Sequence, residues 1–247
     1  MDKMSISCFF PCYNDAGSIA SMVVMMDSVV RKVTDDYEIT VIDDGSSDGS
    51  RAILNELEAK YDKLRLVFHD KNKGYGGALK AGFYSARKEY IFYTDGDFQY
   101  DVRELDKLIP LMREGIDVVN GYKVLRSDPL NRVIIGNIYQ YLMKFTFGFK
   151  IRDVDCDFRL MRRKIFDGLD LKYNSGIVCV EMIRKLQDKG CRFDEVAVSH
   201  YHRVYGRSQF FNFIRLFHVA RDLSKLWWEL IGSKSLARVK GKGRHND

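Results

Sequence analysis

The first 120 residues alternate between short apolar runs typical of strands and longer segments with helical periodicity. The strand-like runs are residues 5–10, 38–42, 64–69, 90–94 and 117–121. The helical segments between them are residues 19–33, 51–61, 74–88 and 105–113. Strands separated by helices pair in parallel, and the helices then cover both faces of the sheet. This alternation predicts an α/β fold with a mostly parallel central sheet.

Beyond residue 124 the alternation becomes less regular. Residues 131–147 and 177–189 are predicted helices, 192–198 is a predicted strand, and 152–163 is a polar, aspartate-rich stretch. We expect one domain over residues 1–208, a C-terminal amphipathic helix over 209–232 and a basic disordered tail over 233–247. With 46% hydrophobic residues in 247, the chain can bury a core, which excludes a disordered or collagen-like protein.

Charge and cysteine content limit the compartment and the partners. The net charge is +6, yet residues 203–247 alone hold ten basic and three acidic side chains. The basic end therefore suits an acidic ligand or an anionic lipid surface. Five cysteines without a C-x-x-C pair favour reduced thiols. We expect a cytoplasmic protein, either free or peripheral at the cytoplasmic face of the membrane, with no nucleic-acid partner.

Polar residues follow the first four predicted strands. These segments are residues 11–15, 43–49, 73–77 and 95–99. In open α/β sheets, ligands bind beyond the carboxyl ends of the strands. The convergence therefore predicts a binding site at this edge of the sheet.

The sharpest of these motifs is Asp95-Gly96-Asp97. Two carboxylates two residues apart can face one hard cation, and Gln99 adds a neutral oxygen at the same spacing. Mg²⁺ and Mn²⁺ take such ligands and often bridge to substrate phosphates. The alternative is a solvated turn, because Asp and Gly favour turns in any case. The strand context and the Asp43-Asp44 pair favour the metal site.

Two further segments allow both a functional and a structural interpretation. Asp43 and Asp44 can bind the base and ribose of a nucleotide, or form an Asx-turn before a helix. Gly74, Gly76 and Gly77 can let a phosphate approach backbone N–H groups, or simply form a tight turn.

Taken in order, these motifs resemble the GT-A fold glycosyltransferases of family 2. Within that family they are most similar to the polyprenol (dolichol)-phosphate mannose and glucose synthases. The matching segments are residues 10–15, 41–50, 72–74, 95–99, 153–159 and 203–208, with Glu181 on a helix between the last two. The resemblance spans about residues 5–211 and implies a GT-A, Rossmann-like fold.

The resemblance implies a role for each matched residue. The nucleotide-sugar would contact Pro11, Tyr13, Asp15, Asp43, Asp44, Lys73, Gly74, Asp95 and Ser208. Asp95, Asp97 and Gln99 would hold Mg²⁺ or Mn²⁺ against the diphosphate. Asp97 and Arg203 would act in catalysis, because a metal and an arginine stabilise the leaving nucleoside diphosphate where its charge develops.

The acceptor is the open question at this level. Lys123, Arg126 and Arg132 can grip an anionic acceptor phosphate, or belong to a solvated basic face. Asp157 stands where many family members have glycine. It can be a general base for a hydroxyl acceptor, or a structural partner of Arg159, Arg162 or Arg163.

The resemblance therefore implies an inverting, metal-dependent transfer of a hexose from GDP-mannose or a UDP-hexose to a polyprenyl phosphate. The alternatives are transfer to a hydroxyl acceptor with Asp157 as base, a sugar-nucleotide pyrophosphorylase, and an inactive scaffold. The helix over 209–232 can contact a membrane surface, pack on the domain, or form a homodimer.

Overall fold

The computed structural model of the chain describes residues 4–126, 130–202 and 213–233. For residues 125–126, 130–135, 137 and 213–218 it describes the backbone alone. The described residues form a seven-stranded sheet in the order β3-β2-β1-β4-β6-β5-β7. The strands are β1 (Ile6–Cys12), β2 (Tyr37–Asp43), β3 (Leu64–Phe68), β4 (Tyr90–Thr94), β5 (Val118–Arg126), β6 (Phe158–Arg162) and β7 (Phe193–His200).

Six of these strands run in one direction, and β6 runs against them between β4 and β5. The predicted mostly parallel α/β sheet is thus confirmed. The interpretation of residues 152–163 as a polar stretch is wrong over β6, where Phe158, Leu160 and Met161 are fully buried. Arg159 is also fully buried there, and a charge at a core position hides the strand pattern in the sequence.

Seven helices connect and cover the strands in the described residues. They are α1 (Ile19–Val33), α2 (Ser50–Glu58), α3 (Tyr75–Ser85), α4 (Leu105–Leu108), α5 (Leu130–Phe147), α6 (Ile177–Asp188) and α7 (Phe213–Trp227). One core cluster packs α1, α2 and α4 on one face of the sheet, and a second packs α3, α5, α6 and α7 on the other. The prediction of helices on both faces is confirmed.

The predicted helix over 105–113 is wrong beyond its first turn. The α-helix ends at Leu108, and a 3₁₀ turn, Ile109–Leu111, follows. Pro110 lies in that turn, and a proline lacks the N–H that an α-helix needs and clashes with the preceding turn.

Close packing between α3 and β1 orients the start of α3. A Cβ at Gly82 would lie 2.3 Å from the ring of Phe9, so α3 can approach β1 only with glycine there. Phe83 packs on Phe9 and Tyr93 with ring centroids 5.0 Å from each. This contact positions the residues that begin α3.

The C-terminal helix packs on the domain. Leu226 and Leu230 are buried in the second core cluster, and Trp227 Nε1 donates to the carbonyl oxygen of Thr146 at 3.0 Å. A π-helical turn, Trp228–Gly232, follows α7. The predicted tail lies almost wholly outside the described residues. Among the helices that the structure describes, none combines the length and the apolarity that crossing a membrane requires.

Candidate active site

The loops after β1 and β2 lie side by side at the carboxyl edge of the sheet. Asn14 N donates to Ser46 Oγ at 3.0 Å, and Ser47 N donates to Asn14 Oδ1 at 2.8 Å. Asn14 has a φ of 57°, a left-handed conformation that asparagine tolerates. These bonds bring the predicted segments 11–15 and 43–49 together.

Asp43 ends β2 and is fully buried. Its Oδ1 accepts from Arg51 Nε at 2.7 Å and from Ser46 N at 3.2 Å. Its Oδ2 is buried without a hydrogen-bond partner among the described residues. A buried, unpartnered carboxylate oxygen is costly unless a ligand supplies the donor. Asp43 thus fits its predicted role at a nucleotide site.

Asp44 is used differently. Its carboxylate accepts from Lys73 N and Gly74 N, both at 2.9 Å, and contacts His69 Nδ1 at 2.7 Å. The side chain therefore fixes the loop between β3 and α3. These contacts favour the structural interpretation of Asp44 over direct ligand binding.

The glycines before α3 also serve packing. Gly74 has a φ of +83°, and a Cβ there would lie 2.6 Å from the carbonyl oxygen of Asn174. Gly76 N donates to that same oxygen at 2.8 Å. Gly74 N donates to Asp44 and Gly76 N to Asn174, so these two N–H groups already have partners. These contacts favour the tight-turn interpretation, and a phosphate contact at this loop stays a prediction.

Three residues predicted for the nucleotide-sugar remain at the surface of this edge. Tyr13 is 40% exposed, Pro11 is half-buried and Lys73 is exposed. Asp15 is half-buried, and one of its carboxylate oxygens accepts from Tyr13 N at 3.2 Å. Their contact with a nucleotide stays a prediction.

The Asp95-Gly96-Asp97 loop lies against the end of β1. A Cβ at Gly96 would come within 2.4 Å of the carbonyl oxygen of Pro11, so the loop passes close to β1 only with glycine there. Asp97 is nearly buried and accepts from Gln99 N at 3.0 Å. Phe98 between them has a φ of 63°. The structure therefore brings the predicted metal and nucleotide residues to one place.

Gln99 connects this loop to the end of β7. Its Nε2 donates to the carbonyl oxygen of Tyr201 at 3.2 Å, and Tyr201 N donates back to the Gln99 carbonyl at 2.8 Å. The segment that leads to Arg203 thus starts beside the predicted metal loop. Arg203 and Ser208 themselves lie outside the described residues.

Acidic side chains cluster around Asp95. Burial raises the pKa of Asp95, and the charges of Asp157 and Asp97 raise it further. The Tyr75 hydroxyl donates to Asp95 Oδ1 at 2.6 Å and partly offsets this. A divalent cation would favour the ionised carboxylates strongly.

The donor set fits Mg²⁺ or Mn²⁺ only as an open site. In the part of the chain that the structure describes, no three His, Cys, Asp or Glu side chains converge on a common metal position. Asp95, Asp97 and the Gln99 amide offer hard oxygen atoms, and a cation there would complete its coordination with water and phosphate. Mg²⁺ typically binds in this manner, through one or two carboxylates plus substrate oxygens.

Asp157 has Arg159 as its partner, as one of the two sequence interpretations proposed. Arg159 is fully buried, and its Nη1 lies 3.1 Å from Asp157 Oδ1. The same oxygen accepts from Tyr93 Oη at 3.0 Å and from Cys179 Sγ at 3.2 Å. Burial raises the pKa of Asp157, while the Cys179 hydrogen bond and the charge of Lys123 lower it.

Arg159 organises the loop before β6. Its Nε donates to Asn120 Oδ1 and its Nη2 to the Val154 carbonyl, each at 2.5 Å. It also donates to the Tyr93 hydroxyl. The guanidinium thereby joins β4, β5 and the loop 153–157.

Lys123 is not an open cation. Its Nζ donates to the Asp155 carbonyl at 2.7 Å and lies 3.6 Å from Asp153 Oδ2. Gln140 of α5 donates to Asp153 Oδ1 at 2.7 Å from the other side. These contacts tie Lys123 to the loop, which weakens its predicted role as a phosphate ligand. The side chains of Arg126 and Arg132 lie outside the described part of the structure.

Sequence reasoning missed Tyr75 and Gln140 and underrated Arg159. Tyr75 carried no signal beyond following Gly74, and Gln140 lies in an aromatic helix without a motif. Arg159 stood at the end of a matched segment, but only the structure shows that it is buried.

Comparison with known proteins shows the relationships of the chain. Residues 7–169 match the sequence family described as "Glycosyl transferase family 2". The chain is 30% identical over 219 residues to the undecaprenyl-phosphate 4-deoxy-4-formamido-L-arabinose transferase of Klebsiella pneumoniae subsp. pneumoniae. It is 28% identical over 219 residues to the enzyme of that name from Salmonella choleraesuis. Each match covers 88% of this chain and 66% of the relative, just under two thirds of its length.

Solved structures share the fold at low identity. Glucosyl-3-phosphoglycerate synthase from Mycobacterium tuberculosis, in complex with Mn²⁺, UDP and glucosyl-3-phosphoglycerate, superposes with a TM-score of 0.69 at 17% identity, covering 93% of this chain and 80% of that one. A mannosyltransferase from Pyrobaculum calidifontis, in complex with GDP-Man and Mn²⁺, has a TM-score of 0.63 at 18% identity, covering 83% and 59%. The predicted GT-A fold is confirmed.

Proposed function

The chain belongs to glycosyl transferase family 2, and from that premise we propose that it is an inverting, metal-dependent glycosyltransferase that uses a polyprenyl phosphate as acceptor. The donor is a nucleotide-sugar, either a UDP-hexose or GDP-mannose. The observation that carries the proposal is the contact between the Asp95–Asp97 loop and the β1 end, next to Asp43 with its unpartnered Oδ2. A bound nucleotide would supply the hydrogen-bond donor that Asp43 Oδ2 lacks. Its diphosphate would supply further oxygen ligands to a cation at Asp95 and Asp97.

At the donor side, the protein's own residues bind and orient. Asp43 accepts from the base or ribose, and Asp95, Asp97 and Gln99 hold Mg²⁺ or Mn²⁺. When bound, the cation supplies a Lewis acid that offsets the charge of the leaving diphosphate. Arg203, Ser208, Arg126 and Arg132 keep their predicted phosphate contacts as part of this proposal.

At the acceptor side, a phosphate needs no general base because it is ionised at neutral pH. One of its oxygens forms the bond to C1 of the hexose while the bond from C1 to the diphosphate oxygen breaks. Asp157 Oδ1 already accepts from Tyr93, Arg159 and Cys179, which leaves this carboxylate poorly placed as a base. The two bacterial relatives named above are undecaprenyl-phosphate transferases, which supports the same acceptor class.

The first test is nucleotide binding. Calorimetry with UDP and with GDP, each with Mn²⁺ and with EDTA, should show metal-dependent affinity for one of the two. Asp97→Ala should lose the metal-dependent part. If neither nucleotide binds with Mn²⁺, the transferase proposal fails and an inactive scaffold takes its place.

The second test separates the acceptors. Transfer of labelled sugar is measured to undecaprenyl phosphate in detergent and to soluble sugar alcohols. For a phosphate acceptor, Asp157→Asn, assayed at a temperature at which circular dichroism shows it to be folded, should keep activity within about ten-fold of wild type. A general base would lose on the order of 10²–10⁴-fold. Such a loss, with transfer to a hydroxyl, would establish the alternative in which Asp157 is the base. Family membership leaves the pyrophosphorylase hypothesis without support.

A lipid acceptor requires a membrane contact, and the structure favours α5 for it over α7. Ile138, Tyr141, Leu142 and Phe145 are 63%, 77%, 56% and 91% exposed. Their spacing places them on one helix face, opposite the face that holds Met143 and Phe147 in the core. Most of the apolar side chains of α7 whose burial is described pack inward. Trp228, in the π-helical turn that follows α7, is more than half exposed.

Charge complementarity supports an anionic bilayer as the partner of this face. Lys144 and Lys150 are exposed beside it, and α7 ends at the same side of the domain through its Trp227–Thr146 contact. The 14 residues after Ser233 hold five basic and one acidic side chain. Aromatic side chains next to basic ones are typical of interfacial helices. Membrane attachment at the cytoplasmic face is part of this proposal.

Vesicle sedimentation tests the surface. The double variant L142S/F145S should bind anionic vesicles about ten-fold or more weakly, since two apolar side chains no longer enter the interface. Val24→Ser, an equally polar change at a 45% exposed site on α1, should bind as wild type. A wild-type chain that dimerises through α5 and ignores vesicles would identify a second copy as the partner instead.

A further inference from the structure

Tyr75 lies next to Asp95 of the predicted metal loop. Its hydroxyl donates to Asp95 Oδ1 at 2.6 Å. Among the described residues, Tyr75 is the one side chain that donates to Asp95. The bond uses one oxygen of Asp95 and leaves the other to face a cation.

The backbone on both sides of Tyr75 is closely packed. Gly74 takes a φ of +83° and Gly76 lies against the carbonyl oxygens of Tyr173 and Ser175, at 2.6 and 2.7 Å from an ideal Cβ. Asp44 holds the N–H of Gly74. The backbone of the first residue of α3 is therefore fixed from both sides.

Orientation is what such a partner supplies to Asp95. The 2.6 Å hydrogen bond from the Tyr75 hydroxyl restrains rotation of the Asp95 carboxyl group. Ligating carboxylates are commonly held in this way by outer hydrogen-bond partners, and a carboxylate oriented before the cation arrives binds it more tightly.

We propose that Tyr75 is a positioning residue for the metal-binding carboxylate Asp95, acting through its hydroxyl. This inference rests on the proposed function, because it assigns Asp95 to the cation. It predicts that the hydroxyl contributes to the metal-dependent part of nucleotide affinity and to no other part. Outer partners of metal ligands commonly change metal affinity about 10–100-fold.

The experiment compares full-length variants by calorimetry with the nucleoside diphosphate that the UDP and GDP panel selects, in Mn²⁺ and in EDTA. Tyr75→Phe should weaken binding in Mn²⁺ about ten-fold, toward the lower end of that range, and leave binding in EDTA unchanged. A Mn²⁺ titration at fixed nucleotide should shift to higher metal concentration by a similar factor. Saturating Mn²⁺ should then restore most of the transfer rate.

Two controls separate positioning from a structural effect. Tyr84→Phe removes another hydroxyl of α3, one that donates to the Leu169 carbonyl at 2.7 Å, and should leave metal-dependent affinity intact. Asp95→Asn should abolish the metal-dependent part, and adding Tyr75→Phe to it should change nothing more, because Tyr75 acts through Asp95.

Several results would overturn the inference alone. One is that Tyr75→Phe binds the nucleotide in Mn²⁺ as tightly as wild type. Another is that its affinity weakens equally in Mn²⁺ and in EDTA. The third is that the double variant with Asp95→Asn binds more weakly than Asp95→Asn alone. A wild-type chain without Mn²⁺-dependent nucleotide affinity would instead overturn the proposed function, and the inference with it.

Discussion

Replacement of Arg159 by methionine should be the most destabilising single change near the site. The side chain is fully buried and its guanidinium serves Asp157, Asn120 and the Val154 carbonyl. Methionine fills a similar volume but leaves the Asp157 carboxylate buried without its cation. Breaking a buried ion pair from one side typically costs about 3–5 kcal/mol, which is a large part of the roughly 5–15 kcal/mol that stabilises a protein.

We therefore expect the free energy of unfolding to fall by about 4 kcal/mol. For a chain of this size the melting temperature should then fall by roughly 8–16 °C, at about 2–4 °C per kcal/mol. Urea unfolding followed by circular dichroism measures the first quantity and calorimetry the second. Adding Asp157→Asn should recover about 1–3 kcal/mol, because it removes the uncompensated charge.

A matched surface variant sets the baseline. Arg103→Met removes an arginine whose side chain is 73% exposed and which pairs with Asp101, so its unfolding curve should coincide with wild type. The reasoning is refuted if R159M unfolds within about 1 kcal/mol of wild type, or if the second substitution destabilises it further.

Three further predictions concern Glu38, Gly82 and the cysteines. Burial raises the pKa of Glu38, but hydrogen bonds, the Ser7 hydroxyl first among them, outweigh this and hold the pKa below its usual 4.5. The resulting stability is present above pH 4.5 and is lost as the pH falls through the lower folded pKa. Urea titrations at several pH values should therefore show that Glu38→Gln loses less stability below pH 4.5 than wild type. Parallel plots of unfolding free energy against pH for the two proteins would contradict this. Gly82→Ala forces a Cβ into the Phe9 ring and should destabilise by about 1–3 kcal/mol in urea unfolding, whereas a neutral result would mean that α3 can shift. Cys191 is the one partly exposed cysteine, and the other four are buried. Native protein should therefore show a single thiol that reacts slowly with Ellman's reagent, and unfolded protein should show five. Rapid reaction of a second thiol in the native protein would contradict the burial of the other four.

The candidate site was predictable where its chemistry followed directly from strand ends. Asp43 and the Asp95–Asp97 pair come straight after apolar runs, and parallel strands place such residues at one edge. Asp44 and Gly74 also follow strand ends, yet the Gly74 N–H donates to the Asp44 carboxylate. Spacing alone cannot tell a ligand-binding aspartate from one that holds a loop, because the two differ only in which donors lie within 3 Å.

Local periodicity by itself determined the α/β architecture. The bounds of α1 and β4 coincide with their predicted bounds, since apolar residues repeat there with an uninterrupted helical or strand pattern. Only the tertiary structure decided the place of β6 and the roles of Arg159 and Tyr75. Arg159 meets Tyr93 across 66 residues of chain, and Tyr75 meets Asp95 across 20. Such contacts form only when separate strands and helices pack together, so the desolvation and pairing of these groups leave no periodic trace in the sequence.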